Sequence, residues 1–390
     1  MSCTFISATA AFYGGEQLRE FESNVCNYFG IAHAVALNSA TAGLHAALAA
    51  LGIAPGDEVI VTPYTMAATA TAIVMNQAIP VFADIETETF GLDPTSIEKK
   101  ITKKTKAIVV VHLFGHVARM QEILAIAKKH HLSVVEDCAQ SPGARYQGKF
   151  AGTLGDIGVF SLNQHKTITC GEGGFCLTNN ENLAQRMRLV RNHGEAIVAD
   201  MKVQDIDNIV GFNYRMTELE AAVSIGQFRQ LDTFNRHRIM LADYLTSKLK
   251  QFNFLKLPSQ SETFGHVYFV YPMKFDAAKA GFSRGHFVKA MLAEGLPVGA
   301  GYVRPLYWEP IFARQIAYGK KGWPFKDEKS GECSRAYQRG DCPHCEDMHL
   351  TQLVTTPITR VPHTTSDMDD FVAGVKKIAD SAVALAQATF

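Results

Sequence analysis

The sequence is poor in charge. Charged residues make up 19% of the 390, and 38 Lys plus Arg cancel 38 Asp plus Glu. A chain with no net charge exerts no global attraction on nucleic acid or an anionic membrane. A local basic pocket for one phosphate is compatible with that. No run of about 18 apolar residues occurs, so no spanning helix is expected. The opening stretch MSCTFISATAAFYGG holds no Lys or Arg, which argues against a signal peptide. The 8 cysteines, Cys3, Cys26, Cys138, Cys170, Cys176, Cys333, Cys342 and Cys345, form no repeating framework. That usage fits a reducing compartment, and a cytoplasmic protein is expected. Internal repeats and low-complexity stretches are also lacking. What is abundant is apolar: 47% hydrophobic residues exclude a disordered chain and a charged helical rod. At roughly 100–200 residues per domain, the length suggests two domains.

Short β-branched runs alternate with helical patterns through the first half. Strands are expected at Ala34–Leu37, Glu58–Thr62, Pro80–Ala83, Ala107–Val111, Ser133–Glu136, Ile157–Ser161 and Gly174–Thr178. Helices are expected at Thr41–Leu51, Thr65–Asn76 and Met120–His131. Such alternation predicts an α/β domain with a mainly parallel sheet, whose ligands sit beyond the carboxyl ends of the strands. No proline occurs between Pro142 and Pro258, and apolar residues from Thr217 to Phe252 recur at helical spacing. One or two long helices are expected there. Beyond them the pattern changes: a strand over Gly265–Phe275, a helix over Arg284–Glu294, a strand over Val298–Gly301 and a helix over Met368–Ala388. Tyr302–Leu353, rich in Gly, Lys, aromatics and Cys, reads as loops. The chain thus divides into a large domain, 1–250, and a smaller α+β domain, 251–390.

Three places carry chemistry. In Phe160–Phe175, FSLNQHKTITCGEGGF, a buried strand ends at Ser161 and Lys166 follows, then Gly171, Gly173 and Gly174. A desolvated lysine amine titrates low and forms Schiff bases. Glycines let backbone approach a bound group. Upstream, Asp137 ends another strand, with Gln140 three residues on. A buried Asp needs a cation, and a protonated pyridine nitrogen would serve; an Asp there equally fits a helix N-cap. Thirdly, Asn38-Ser39-Ala40-Thr41 opens an Ala-rich helix. Its amides and hydroxyls suit a phosphate, and Ser39 equally suits a plain cap.

Together these segments resemble the DegT/StrS family of pyridoxal-phosphate-dependent sugar aminotransferases, of the aspartate aminotransferase fold. The matching stretches are NSATAGLHAAL at 38–48, PGDEVIVTPYT at 55–65, PVFADI at 80–85, the block from Glu136 to Gly174, RNHGE at 191–195 and GFNYRMTELEAA at 211–222. The resemblance implies that Lys166 holds pyridoxal 5'-phosphate as a Schiff base. Asp137 would pair with the pyridine nitrogen and Gln140 with the ring hydroxyl. Ala40, Thr41 and Ser161 would hold the phosphate. Asn213 would reach the cofactor of a neighbouring subunit, in a homodimer with shared sites. Met66 stands where the family commonly has a Trp or Phe that stacks on the ring, with Tyr64 nearby. Ala40 replaces a common Gly. Dehydratase members carry His in place of the lysine; Lys166 favours transamination, with His165 beside it.

The implied reaction moves an amino group from glutamate or glutamine to a ketosugar, expected to be nucleotide-linked. The alternatives are a keto-deoxysugar dehydratase and a keto-cyclitol aminotransferase. His193, Tyr302 and Arg304 are candidate substrate contacts. Glu195 joins His193 in that role, and each of these also fits a structural or surface place. Cys333, Cys342, His344, Cys345 and His349 invite a zinc reading, but a second CxxC at the right distance is lacking. The same segment stands where similar aminotransferases carry a CP-x-x-E-x-x-H pattern without metal. No metal is expected, and no nucleic-acid or membrane partner.

Overall fold

The computed structural model describes residues 14–194, 209–258, 263–326 and 335–387. Cys3, Glu195 and Cys333 lie outside the described residues. The first half builds a seven-stranded sheet: β1 (His33–Leu37), β2 (Glu58–Val61), β3 (Ile79–Phe82), β4 (Thr105–Val111), β5 (Ser133–Asp137), β6 (Ile157–Ser161) and β7 (Gly174–Thr178). Its order is β1-β7-β6-β5-β4-β2-β3. Pairings among β2, β3, β4, β5 and β6 are parallel, while β7 runs antiparallel to both β1 and β6. One reversed strand leaves β1 parallel to the rest. The carboxyl ends of β1, β2, β4, β5 and β6 therefore share one edge.

The strands lie within about two residues of their expected positions, because continuous buried runs such as Val59–Val61 and Ala107–Val111 fit only a doubly covered sheet. Helices Ala40–Ala50 and Ala67–Met75 pack on one face, and Glu16–Phe29 and Met120–His130 on the other. The long helical pattern is two helices, Glu218–Phe228 and Leu231–Leu249.

A second, antiparallel sheet has the order β8-β9-β11-β10, where β8 is Leu255–Lys256, β9 Tyr271–Phe275, β10 Gly299–Ala300 and β11 Leu353–Thr356. The expected strand over Gly265–Phe275 is shorter. Tyr268 takes φ 48, which interrupts the extended run, and only β9 remains. Upstream of it the chain makes isolated bridges, His266 to His116 within the expected span and Phe264 to Tyr146 just before it. The terminal helix begins at Thr365 and divides at Ser381.

The expected loops between Tyr302 and Leu353 contain short helical turns, and they do not stay on the surface. Leu306, Tyr307, Phe312, Phe325, Cys342, Cys345 and Met348 are buried in the core of the large sheet. They cover β3, its edge strand: Tyr337 donates its hydroxyl to Pro80 O at 2.6 Å, and Phe312 meets Phe82 edge to face at 5.3 Å. An edge covered in this way is shielded from pairing with another strand. Among the described residues no helix is long and apolar enough to cross a membrane.

Candidate active site

The shared carboxyl edge opens into a cavity of about 460 Å³. Each strand delivers its next residues there: Ser39 after β1, Thr65 after β2, Val111 of β4, Asp137 of β5 and Ser161 of β6. Ala40, Thr41, Met66, Gln140, Lys166 and Tyr302 complete the predicted set that lines it.

At one end is the start of the Ala40–Ala50 helix. Ser39 is its N-cap, taking the Ala42 N–H at 3.1 Å, and Gly43 N–H bonds Ser39 O at 3.0 Å. The first-turn amides of Ala40 and Thr41 have no carbonyl within the helix to reach, the usual state of a helix start. With the Ser161 hydroxyl they form a cradle for an anion. Gly174 on β7 runs directly beneath. A Cβ there would lie 2.6 Å from Ala40 N and 2.7 Å from Phe160 O, so no other residue fits.

At the far side lies Asp137. Its Oδ1 accepts the Ala139 N–H at 3.1 Å and its Oδ2 the Thr69 hydroxyl at 2.8 Å. Across from it the loop Leu162–Gly173 is pinned at its base, Leu162 N–H to Gly173 O at 2.9 Å and Cys170 N–H to Leu162 O at 3.0 Å. Lys166 projects from this loop. Its Nζ lies 5.0 Å from the centre of the Phe269 ring. Phe269 is held there from behind, since the buried Arg238 donates to both Tyr268 O and Phe269 O at 3.1 and 3.2 Å. Burial holds the Lys166 amine below the ordinary lysine value, and the Asp137 charge opposes this in part. A lysine so placed has a neutral, nucleophilic form within reach of milder pH.

The residues fit pyridoxal phosphate on their own chemistry. The cradle suits its phosphate, Asp137 its ring nitrogen and Lys166 its aldehyde. Met66, 55% exposed, forms part of the wall, whereas Tyr64 is fully buried away from the cavity.

Three predicted residues lie elsewhere. Asn213 is exposed, in a loop whose backbone accepts the Asn38 side-chain amide at 3.4 Å. His193 is exposed at φ 64. Arg304 points to solvent and forms a two-pronged pair with Glu309, at 3.0 and 2.9 Å. Conversely, Thr65, Thr69, Asn163, Glu172 and Phe269 line the cavity and were not among the predicted site residues, although Thr65, Asn163 and Glu172 fall within the matching stretches. Thr69, one turn after the motif's Thr65 on an Ala-rich helix, offered a hint as well.

The Cys342-x-x-Cys345 segment is a packed turn. Both thiols are buried, which pushes them well above the ordinary cysteine value. The Asp84 carboxylate caps the turn, accepting the N–H groups of His344 and Cys345 at 2.9 Å each. Among the described residues, the one group of three ligand-type side chains is His112, Glu136 and Cys138. There Glu136 is saturated. It accepts His112 Nε2–H at 2.8 Å and the amides of Gly152, Leu154 and Gly155 at 2.8, 2.7 and 2.7 Å. The imidazole's Nδ1 takes the Ala118 N–H at 3.2 Å, which fixes the hydrogen on Nε2. This cluster ties β4, β5 and the 151–155 turn together beneath Asp137.

Comparison with known proteins gives one answer. The model of the DegT/DnrJ/EryC1/StrS aminotransferase family matches residues 3–334. GDP-perosamine synthase of Caulobacter vibrioides is 40% identical over 275 residues, 70% of this chain and 72% of that protein. L-glutamine:2-deoxy-scyllo-inosose aminotransferase of Streptoalloteichus tenebrarius is 34% identical over 372 residues, 92% of this chain and 85% of that one. Among solved structures, S. venezuelae DesV in complex with a ketimine intermediate superposes with a TM-score of 0.80 at 29% identity, covering 96% of this chain and 94% of that one.

Proposed function

The chain belongs to the DegT/DnrJ/EryC1/StrS aminotransferase family, and from that premise we propose that it transfers an amino group from glutamate or glutamine to the ketone carbon of a nucleotide-linked ketosugar. The observation that carries this is the placing of Lys166 and Asp137 in one cavity with the Ala40–Thr41 helix start. Pyridoxal phosphate, when bound, supplies an electron sink for the carbanion formed at the substrate carbon. Asp137 would hold the ring nitrogen and keep a positive charge on it. Ala40, Thr41 and Ser161 would anchor the phosphate. Lys166 would hold the cofactor through its aldehyde, and its amine would move the proton as base and then as acid. The low-lying amine suits it to both tasks.

A second reading has its own support. Similarity to the inosose aminotransferase extends over 92% of this chain, against 70% for the perosamine synthase. That favours a keto-cyclitol as the alternative acceptor. The dehydratase alternative is disfavoured by Lys166 itself.

The working unit is proposed to be a homodimer. On helix Glu218–Phe228, Leu219 and Val223 stand one turn apart and are 81% and 53% exposed, a stripe suited to a second copy. Asn213 lies in the adjoining loop. Division into domains 1–250 and 251–390 is part of the same reading, supported by the two sheets falling on either side. A cytoplasmic location is supported by the free thiols of the 6 described cysteines.

The test is direct. Protein supplied with pyridoxal phosphate is expected to be yellow, and borohydride followed by peptide mass analysis is expected to label Lys166. Labelling of another lysine refutes the site. Glutamate and glutamine are then paired with 4-keto and 3-keto nucleotide sugars and keto-cyclitols to find the acceptor.

A further inference from the structure

Gln140 is gripped at both ends of its side-chain amide. Its Oε1 accepts the Phe114 N–H at 2.8 Å, and its Nε2 donates to the Tyr302 hydroxyl at 2.9 Å. The orientation is not open to choice. A backbone N–H only donates, so the amide oxygen must face Phe114 and the nitrogen must face Tyr302. Phe114 is itself an unusual residue, buried at φ 58 and ψ 6, where bulky side chains are rare. Its ring meets Tyr302 at 5.2 Å and Phe90 at 5.3 Å, both edge to face, which holds it in place.

Two hydrogens remain after these bonds are counted. The Gln140 amide keeps its second N–H. The Tyr302 oxygen has accepted one bond and still has its own hydrogen to donate. Both side chains line the cavity that holds Asp137 and Lys166. Burial pushes the Tyr302 hydroxyl above the ordinary tyrosine value, so it stays a donor. Tyr302 comes from beyond the first sheet: it follows β10 and Gly301, whose φ is 71.

We infer that Tyr302 is a second hydrogen-bond donor, paired with Gln140, to an anionic oxygen of the bound cofactor. The phenolate oxygen of pyridoxal phosphate has that chemistry; on the ring it stands beside the carbon that bears the aldehyde, the group with which Lys166 would form its Schiff base. Two donors side by side, with no acceptor between them, select an oxygen that carries charge. The inference rests on the proposed function, and it makes Tyr302 a cofactor residue rather than a substrate contact.

The experiment uses the protein loaded with pyridoxal phosphate and the variant Tyr302→Phe, which keeps the ring contacts with Phe114 and Tyr64. The visible band of the cofactor is followed against pH. A donor to the phenolate stabilises its charge and loosens its hold on the neighbouring imine proton. Loss of the donor therefore raises the midpoint of the band's conversion, by about one unit for one charge-assisted hydrogen bond. The affinity of the cofactor-free protein for pyridoxal phosphate, read by fluorescence quenching, is expected to fall roughly tenfold for the same lost bond. Among the described residues, Asp137, Lys166, His165 and Glu172 are the charged or titratable groups lining the cavity besides Tyr302. All are kept in both proteins, so their own titrations cancel in the comparison. Tyr64→Phe is the control, since its hydroxyl lies outside the cavity, and its midpoint is expected to match the parent's. A Tyr302→Phe midpoint equal to the parent's overturns the inference. A parent that takes up no pyridoxal phosphate overturns the proposed function instead, so the two failures are distinct.

Discussion

Thr69 donates its hydroxyl hydrogen to Asp137 at 2.8 Å, and the Thr65 hydroxyl lies 3.1 Å behind it. A hydroxyl has one hydrogen. Since Thr69 gives it to the carboxylate, Thr65 must be the donor in the second contact. All three side chains are buried. The relay runs from Thr65 through Thr69 to the carboxylate and fixes its plane.

Thr69→Val keeps the shape and removes the donor. A hydrogen bond to a charged group contributes about 1.5–3 kcal/mol. Part of that is expected to appear as a fall in kcat of roughly tenfold, at the low end of this range. Thr69→Ser, which restores the hydroxyl, is expected to recover most of the rate. Steady-state rates with the best acceptor decide it, and a parental rate in Thr69→Val removes Thr69 from the positioning of Asp137.

Glu136 is expected to be the costliest single residue to neutralise. Glu136→Gln sets an NH₂ group against donors that formerly met oxygen, with His112 on one side and three amides around. Breaking a buried, fully bonded carboxylate in this way costs about 3–5 kcal/mol. Urea unfolding measures it. A loss within the scatter of surface substitutions contradicts the saturated arrangement.

Subunit mixing tests the shared site. Asn213→Glu would place a negative charge against the cofactor phosphate of the neighbouring subunit. Combined with Lys166→Ala under exchange, half of the dimers are mixed. One site in each then takes Lys166 from one chain and Asn213 from the other. About a quarter of all sites are expected to recover, given a closed two-fold dimer. Confirmed exchange without returning activity confines Asn213 to its own chain.

The large sheet was legible because its strands announce themselves. Val59–Val61 and Ile108–Val110 are unbroken apolar runs bounded by turns, and such runs have one common home. The direction of β7 was not legible, since alternation of elements carries no sign for a reversed strand. The helix start at Ser39, Asp137 and Lys166 were visible because each follows an apolar run closely. Tyr302 was visible only as a substrate-side candidate; it, Phe114 and Phe269 reach the same cavity or its rim from places fixed by long-range packing. Phe114 depends on a left-handed backbone, Phe269 on Arg238, and Tyr302 on Gly301. Composition hides the fate of residues 302–353 for the same cause: Tyr307 and Phe312 read as loop aromatics until Phe82 is known to lie opposite.

The covering of β3 by Tyr337 and its neighbours sets an order on the making of the molecule. Synthesis delivers roughly 5–20 residues each second, so the ribosome releases β3 tens of seconds before its cover. During that interval the nascent chain carries an open strand edge beside Phe82, a surface that invites pairing with other chains. Tyr302 is delivered late as well, so an N-terminal fragment possesses the lysine but not the finished pocket. Cofactor capture therefore belongs to the completed polypeptide, and the growing chain passes through a stretch in which sheltering by chaperones matters most.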